Sequence, residues 1–206
     1  MPSVYDLKPK FQALLRPITD GFARAGVTAN QVTIAAMLLS LATGAAMFYF
    51  RTPRILLLLP IVLFARMALN AIDGMLAREH NQKTGLGAIL NELGDVVSDS
   101  ALYLPLAVVP GFNAQLLVLI VLFAVFTEMT GVVATQIGAS RRYDGPMGKS
   151  DRAFVFGALG LLLGLGVPIV PRAIYVASLF ILLALTKTIL NRAQSALAEL
   201  RSRTRS

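Results

Sequence analysis

The chain is organised around residues 66–99, which read RMALNAIDGMLAREHNQKTGLGAILNELGDVVSD. This stretch joins two apolar segments and carries most of the carboxylates and amides that could take part in chemistry. Asn70 and Asp73 are three residues apart, so they share one face of a predicted helix. Asn91 and Asp95 are four residues apart, which puts them on one face of the next predicted helix.

Small residues accompany these polar side chains. Gly74 and Ala77 leave the first helix bare next to Asp73, as a backbone does when it approaches a bulky ligand closely. Gly85 and Gly87 bracket the start of the second helix. Two helix ends therefore meet with oxygen ligands facing each other, and such hard donors suit Mg²⁺ or Mn²⁺ rather than a soft metal.

The spacing resembles the signature of the CDP-alcohol phosphatidyltransferase family. That signature is an acid, two spacers, Asp-Gly, two spacers, Ala-Arg, eight spacers, Gly, three spacers, an acid, three spacers and an acid. The matching residues are Asp73-Gly74, Ala77-Arg78, Gly87 and Asp95. Asn70 and Asn91 stand where the pattern has its first and third acids. Asparagine keeps a carbonyl oxygen but removes a negative charge. The sequence therefore leaves open whether the site binds one metal ion, binds two, or has lost its activity.

The composition is that of a membrane protein. Of the 206 residues, 56% are hydrophobic, and the formal net charge is +8. The chain has no cysteine, which excludes a disulfide framework and a thiolate nucleophile, and the single His80 cannot form a histidine cluster. A positive net charge in a chain with long apolar stretches indicates that the partner is an anionic membrane surface rather than nucleic acid. The N-terminal MPSVYDLKPK lacks the apolar core of a signal peptide.

Six apolar stretches are each close to the ~20 residues that span a bilayer. The predicted spans are 31–50, 55–76, 88–108, 114–138, 153–170 and 173–190. Residues 1–26 predict an amphipathic helix on the membrane surface, broken near Pro17, although a surface helix capping the bundle fits equally well. Residues 191–206 form a basic tail. The sequence thus predicts one all-α, polytopic membrane domain, with a bundle of six transmembrane helices over residues 31–190.

The distribution of basic residues predicts the orientation. Arg51, Arg54 and Arg172 lie between spans on one side, and the other loop and terminal basic residues lie on the opposite side. The positive-inside rule then puts both termini and residues 66–99 in the cytoplasm. We therefore expect a multi-pass protein of a bacterial inner membrane.

Ionisable residues within the predicted spans are candidates for function, because charge at membrane depth is costly. Lys187 lies near a span end and can reach the interface. Arg66 and Glu128 lie deeper, and they either line the cavity or neutralise one another inside the bundle. Asp99, one turn after Asp95, could support the site from behind.

The loop between the fourth and fifth spans, ASRRYDGPMGKSDRAF, is rich in basic residues on the side of the signature. Lys149 and Arg152, with Arg141, are candidates to bind the phosphate of a phosphorylated acceptor, because arginine offers a fork and lysine a point charge. The resembled family uses basic residues of this region for that purpose. A topology signal combined with contacts to anionic lipids is the alternative.

The resemblance implies an activity: transfer of a phosphatidyl group from a CDP-linked lipid, such as CDP-diacylglycerol, to an alcohol, with release of CMP. The implied ligands of Mg²⁺ or Mn²⁺ are Asn70, Asp73, Asn91 and Asp95. Asp95 is the implied general base. The implied contacts to the nucleotide and diphosphate are Thr33, Asp73, Gly74, Ala77, Arg78 and Gly87.

Three questions stay open at the level of sequence. The acceptor alcohol is not specified. Gly160 and Gly164 suit either close helix packing or a homodimer. Two other functions remain as alternatives: a homologue that binds CDP-lipid but is catalytically weak or inactive, suggested by Asn70 and Asn91, and a small transporter, suggested by charge within the membrane.

Overall fold

A computed structural model describes residues 4–204, and all regular secondary structure within that range is helical. The helices are α1 (Val4–Arg24), α2 (Ala29–Phe50), α3 (Leu58–Glu79), α4 (Gly85–Tyr103), α5 (Ala114–Gln136), α6 (Lys149–Gly164) and α7 (Pro171–Thr204). Short 3₁₀ turns, Pro53–Leu57 and Leu104–Val108, precede α3 and follow α4. The predicted all-α class is confirmed. Residues 1–3 of the predicted surface helix and 205–206 of the predicted tail lie outside the described residues.

The helices pack around one apolar core. Helix α2 packs on α3 and α4, α5 on α7, and both α1 and α6 on α3. Leu59, Leu102, Leu117 and Leu185 lie in this core. The ring of Phe156 is stacked on that of Tyr103, with 4.2 Å between ring centroids. The core therefore joins six of the helices, and α1 adds a second apolar contact on α3 through Leu15.

The outer surface of the bundle is apolar. Four segments are long and apolar enough to cross a membrane: Ala29–Phe50, Pro53–Glu79, Ala114–Gln136 and Pro171–Arg203. Large side chains such as Ile61 and Phe180 are more than 60% exposed on these segments, and a continuous exposed surface of this kind indicates contact with lipid. Helices α4 and α6 do not meet the same criterion, so six spans remain a prediction.

The predicted break of α1 at Pro17 is wrong. Helix α1 continues through Pro17 to Arg24, although proline removes one main-chain hydrogen bond. Contacts immediately before the proline hold α1 on α3: Leu15 is buried, and Arg16 Nη2 lies 2.9 Å from Glu79 Oε1. Helix α1 ends at Arg24, close to the predicted end of the surface helix at residue 26, and Gly26 follows it with a φ of +75°.

The predicted tail is also helical as far as the structure describes it, because α7 continues without interruption to Thr204. The buried side chains of α7 keep helical spacing along the helix and beyond the predicted end of the span at residue 190. They are Ile174, Ser178, Ile181, Leu185, Thr188, Arg192 and Ala196. This buried stripe packs against α5, so the change to polar composition after Asn191 does not end the helix.

Side-chain caps bring three helix ends together. Thr28 caps α2 through a capping box with Gln31. The turn from α3 to α4 contains Asn81 at a φ of +56°, which asparagine tolerates. From this turn, Gln82 Oε1 accepts a hydrogen bond from Ala29 N at 2.7 Å. The start of α2, the end of α3 and the start of α4 therefore meet at one end of the bundle.

The small residues of α6 serve packing within the chain. A Cβ on Gly160 would lie 3.0 Å from the carbonyl oxygen of Leu56, and one on Gly164 would lie 2.7 Å from the side chain of Leu57. Both glycines therefore let α6 approach the turn before α3. The described contacts of Gly160 and Gly164 are thus with other residues of the same chain.

Candidate active site

Polar residues of the signature converge at the junction of α2, α3 and α4. Asp73, at 6% exposure, accepts a hydrogen bond of 2.8 Å from Thr33 Oγ1. Asn70 Nδ2 donates to Asp95 Oδ1 at 3.4 Å, which joins α3 to α4. Thus α2, α3 and α4 each supply a side chain to one site.

Asp95 lies between two cations. Lys149 Nζ, at the start of α6, contacts Asp95 Oδ1 directly. Arg66 Nη2 lies 3.7 Å from the same oxygen. Asp73 lies within electrostatic reach of both Asp95 and Lys149. Lys149 therefore contacts Asp95 and lies in the neighbourhood of Asp73, and its side chain is 34% exposed, so it can move away from Asp95.

The two signature glycines have different surroundings. A Cβ on Gly74 would lie 3.0 Å from Arg78 Nη2, so the guanidinium of Arg78 lies over Gly74. A Cβ on Gly87 would lie 2.7 Å from Asn30 Oδ1 and 3.0 Å from Thr84 Oγ1, so these two side chains lie over Gly87. Ala77 is half-buried in the last turns of α3.

The donor set can be compared with what a divalent cation requires. Within residues 4–204, no three histidine, cysteine, aspartate or glutamate side chains form a metal-binding group. Asp73 and Asp95 supply two carboxylates, and Asn70, which donates through its nitrogen, keeps a carbonyl oxygen free. Asn91 is exposed on α4 and offers a further carbonyl oxygen. These are hard oxygen donors, which fit Mg²⁺ or Mn²⁺, provided that Lys149 leaves Asp95.

A buried ionic network lies behind Asp95. Asp99, at 5% exposure, accepts a hydrogen bond of 2.9 Å from Arg66 Nη1 and one of the same length from Arg152 Nη2. The suggested pair of Arg66 and Glu128 is therefore wrong, because each has other partners. Asp99 instead bridges α3 to α6.

Glu128 is the second centre of this network. Its carboxylate lies 2.9 Å from Arg152 Nη2, 3.0 Å from Arg141 Nη2 and 3.3 Å from Arg192 Nη1. Burial lowers the pKa of Arg141, but hydrogen bonds to Glu92 and Glu128 outweigh this effect and raise the pKa above that of an ordinary arginine. Because both deep charges, Arg66 and Glu128, have partners, the observation that suggested a transporter is explained by structure.

Sequence reasoning missed two members of this network. Arg192 is 1% exposed, and it also donates to the carbonyl oxygens of Thr127 and Asp144. Its helical spacing from Leu185, Thr188 and Ala196, which form the buried stripe of α7, was the signal by which Arg192 could have been identified. Glu92 forms a two-bond pair with Arg141, at 2.8 and 3.0 Å; its position beside Asn91 gave no comparable signal.

The architecture matches solved structures of another protein. Crystal structures of phosphatidylinositol phosphate synthase from Mycobacterium tuberculosis share it at 23% sequence identity. The structure with CDP-DAG bound has a TM-score of 0.71 and covers 87% of this chain and 92% of that chain. The structure in complex with manganese and citrate has a TM-score of 0.73 and covers 88% of each chain. At this identity the similarity establishes the fold alone.

Two related sequences extend the comparison. Inner membrane protein YnbA of Escherichia coli (strain K12) is 55% identical over 159 residues, which are 77% of this chain and 79% of that protein. An uncharacterized protein of Aquifex aeolicus (strain VF5) is 32% identical over 102 residues, half of each chain.

Residues 26–197 match the family model of the CDP-alcohol phosphatidyltransferases. The chain belongs to the CDP-alcohol phosphatidyltransferase family, which confirms the resemblance drawn from the signature. Membership, together with the apolar helices, makes this chain a membrane-bound transferase of phospholipid biosynthesis.

Proposed function

We propose that this protein transfers a phosphatidyl group from a CDP-linked lipid, such as CDP-diacylglycerol, to an alcohol acceptor and releases CMP. The observation that carries the proposal is the meeting of Asn70, Asp73 and Asp95 with Lys149 at one end of the bundle. Family membership supports the same reaction class. In addition, a structure of a family member at low identity contains CDP-DAG.

The donor would lie with its tails along the apolar surface and its diphosphate at the junction of α2, α3 and α4. Asp73, Asp95 and the carbonyl oxygens of Asn70 and Asn91 would hold Mg²⁺ or Mn²⁺, which when bound neutralises diphosphate charge and makes CMP a better leaving group. Thr33 fixes the Asp73 carboxylate by its 2.8 Å hydrogen bond. A divalent cation is also present in one of the structurally similar crystals, which contains manganese.

Asp95 is the proposed general base. Its carboxylate would accept the proton of the acceptor hydroxyl while the hydroxyl oxygen attacks the lipid-side phosphorus. The new phosphorus–oxygen bond forms as the bond to CMP breaks, and CMP leaves with the electron pair of the broken bond. Arg66 Nη2, 3.7 Å from Asp95 Oδ1, lies beside the carboxylate that would take up this proton.

The proposed activity would take place at the cytoplasmic surface of a six-span bundle. Helix α4 presents an exposed apolar stripe of Leu86, Ile89 and Leu93, and α6 exposes Phe154 at 77%. These faces suit lipid, although α6, with 16 residues, is only about 24 Å long. Two signals support the orientation: the positive-inside rule and the short turn that carries Lys83 beside the site.

The absence of cysteine from the sequence allows a direct test of topology. Lys83→Cys, in the turn between α3 and α4, should react with an impermeant maleimide only after the cells are opened. Val170→Cys, 70% exposed between α6 and α7, should react in intact cells. Labelling of both positions from the same side would rule out the proposed orientation.

The reaction itself is tested by CMP release from CDP-diacylglycerol. Purified protein would be assayed with Mg²⁺ or Mn²⁺ across a panel of alcohols, beside Asp95→Asn and the matched control Glu79→Gln, which removes an exposed carboxylate of α3. Acceptor-dependent release that is lost in Asp95→Asn, by about 100-fold or more, and kept in Glu79→Gln would support the proposal. Equal activity in the wild type and in Asp95→Asn would refute the assigned base.

A catalytically inactive protein that binds CDP-lipid is the second candidate. It is favoured by Asn70 and Asn91 at acid positions and by the contact of Lys149 with Asp95. This candidate predicts saturable binding of CDP-diacylglycerol without CMP release for any acceptor. Failure to bind CDP-diacylglycerol would exclude both candidates.

A further inference from the structure

The basic residues that face the acceptor side of the site already have carboxylate partners. Glu128, 8% exposed, lies within 3.3 Å of guanidinium nitrogens from Arg141, Arg152 and Arg192. A carboxylate thus occupies the centre of the arginine cluster. This is where an anionic group of a ligand would have to bind to use those three charges.

The remaining hydrogen-bonding capacity of these arginines is also largely used. Arg141 makes a two-bond pair with Glu92, at 2.8 and 3.0 Å. Arg152 donates to Asp99 through Nε at 3.1 Å and Nη2 at 2.9 Å. Arg192 donates to main-chain carbonyl oxygens of neighbouring segments.

The formal charges of the ionic network and the two signature carboxylates balance when Arg78, which lies over Gly74, is left aside for the nucleotide diphosphate. The basic side chains are Arg66, Arg141, Lys149, Arg152 and Arg192, and the carboxylates are Asp73, Glu92, Asp95, Asp99 and Glu128. Five positive groups face five negative groups. A divalent cation and the diphosphate of a CDP-lipid would add opposite charges of similar size, so the donor complex is close to neutral as well.

A phosphate on the acceptor would add about two further negative charges, and the arginines of the cluster are already paired. The cation that a divalent metal would release from Asp95 is Lys149, which supplies a single positive charge. Displacing Glu128 to free the arginines would leave a buried carboxylate without its partners, which is strongly unfavourable. We propose that the acceptor of this transferase is an alcohol that carries no phosphate, a substrate class that rests on the proposed function. Under this proposal Arg141 and Arg152 hold the framework of the site rather than a ligand.

The site does contain donors suited to a neutral hydroxyl group. Arg66, with 4% side-chain exposure, leaves Nε and Nη2 buried without a hydrogen-bond partner among the described residues. Buried donors of this kind are costly unless a ligand or water satisfies them. Because Nη2 lies 3.7 Å from Asp95, an acceptor hydroxyl placed beside both groups could accept from Arg66 and donate its proton to Asp95.

The proposal is tested by titrating inorganic phosphate and glycerol 3-phosphate into the full chain in nanodiscs, with and without CDP-diacylglycerol. We expect no saturable binding to the wild type below ~10 mM, and at least about tenfold tighter binding to Glu128→Gln, which uncovers the arginines. Glu92→Gln frees Arg141 alone and should shift the affinity in the same direction by less. This variant is the second test if Glu128→Gln fails to fold.

Turnover gives an independent test. Matched acceptor pairs, glycerol with glycerol 3-phosphate and inositol with inositol 1-phosphate, would be compared for CMP release. Saturable phosphate binding to the wild type in the submillimolar range, or release with only the phosphorylated member of a pair, would overturn the proposal. Loss of CDP-diacylglycerol binding would instead refute the proposed function, and the phosphate titration without donor would still test the arginine cluster.

Discussion

Replacement of Arg152 by methionine gives the sharpest test of the buried network. Arg152 is 1% exposed, and its guanidinium lies 2.9 Å from both Asp99 and Glu128. It also donates to Thr127 Oγ1 at 3.1 Å. Methionine keeps an unbranched apolar stem of similar length, so Arg152→Met removes the charge and its hydrogen bonds with little loss of packing.

The expected cost follows from what each carboxylate retains. Removing one member of a buried ion pair typically destabilises a protein by about 3–5 kcal/mol. Asp99 keeps Arg66, and Glu128 keeps Arg141 and Arg192, so we expect the lower end, about 3 kcal/mol. For a chain of 206 residues this corresponds to a decrease in Tm of about 6–12 °C.

The measurement is thermal unfolding of purified protein in one detergent, followed by circular dichroism at 222 nm. Arg16→Met is the matched control, because the Arg16–Glu79 pair has side chains 50% and 39% exposed and exposed pairs contribute little. A Tm for Arg152→Met within 2 °C of the Tm for Arg16→Met would refute the argument that this network stabilises the bundle.

Two further substitutions test the signature itself. Asn70→Asp should tighten Mn²⁺ binding by about tenfold, because it adds a carboxylate beside Asp95. The affinity is measured by electron paramagnetic resonance titration, with Asn81→Asp, in the exposed turn, as the control. Equal Mn²⁺ affinities of the two variants would argue against a metal at Asn70. Gly87→Ala should lower the Tm slightly, because its Cβ would lie 2.7 Å from Asn30 Oδ1 and would disturb the hydrogen bond from Asn30 Nδ2 to Thr84 Oγ1. Gly85→Ala, with open space around its Cβ, should leave the Tm unchanged or slightly raised. Similar Tm values for the two alanine variants would refute a stabilising role for this contact between Asn30 and Thr84.

The convergence of the signature could be predicted from sequence because it depends on local rules. The three- and four-residue spacings fix which side chains share a helix face. The short turn between α3 and α4 then brings Asn70 and Asp95 together, as their 3.4 Å contact shows. Asn91 fits this reasoning less well, because it is exposed on α4.

The partners of the buried charges could not be predicted in the same way. Arg66 and Asp99 are 33 residues apart, and Arg192 and Glu128 are 64 residues apart. Such pairs depend on the rotation and crossing of helices, which hydropathy does not encode. Sequence reasoning therefore identified Arg66 and Glu128 as unusual and offered their mutual pairing as one of two alternatives, whereas the fold links them only indirectly, through Asp99 and Arg152.

The contrast between fixed and movable cations explains how a site with two asparagines could still bind a divalent cation. Arg66 and Arg152 are held by Asp99 and are at most 4% exposed, whereas Lys149 is 34% exposed at the helix start. Two carboxylates, Asp73 and Asp95, beside one movable lysine carry one net negative charge while the lysine stays and two when it leaves, which one divalent cation balances. Four acids would carry three net negative charges even with Lys149 in place. Under the proposed function, Asn70 and Asn91 would therefore suit a site in which one lysine and one divalent cation exchange.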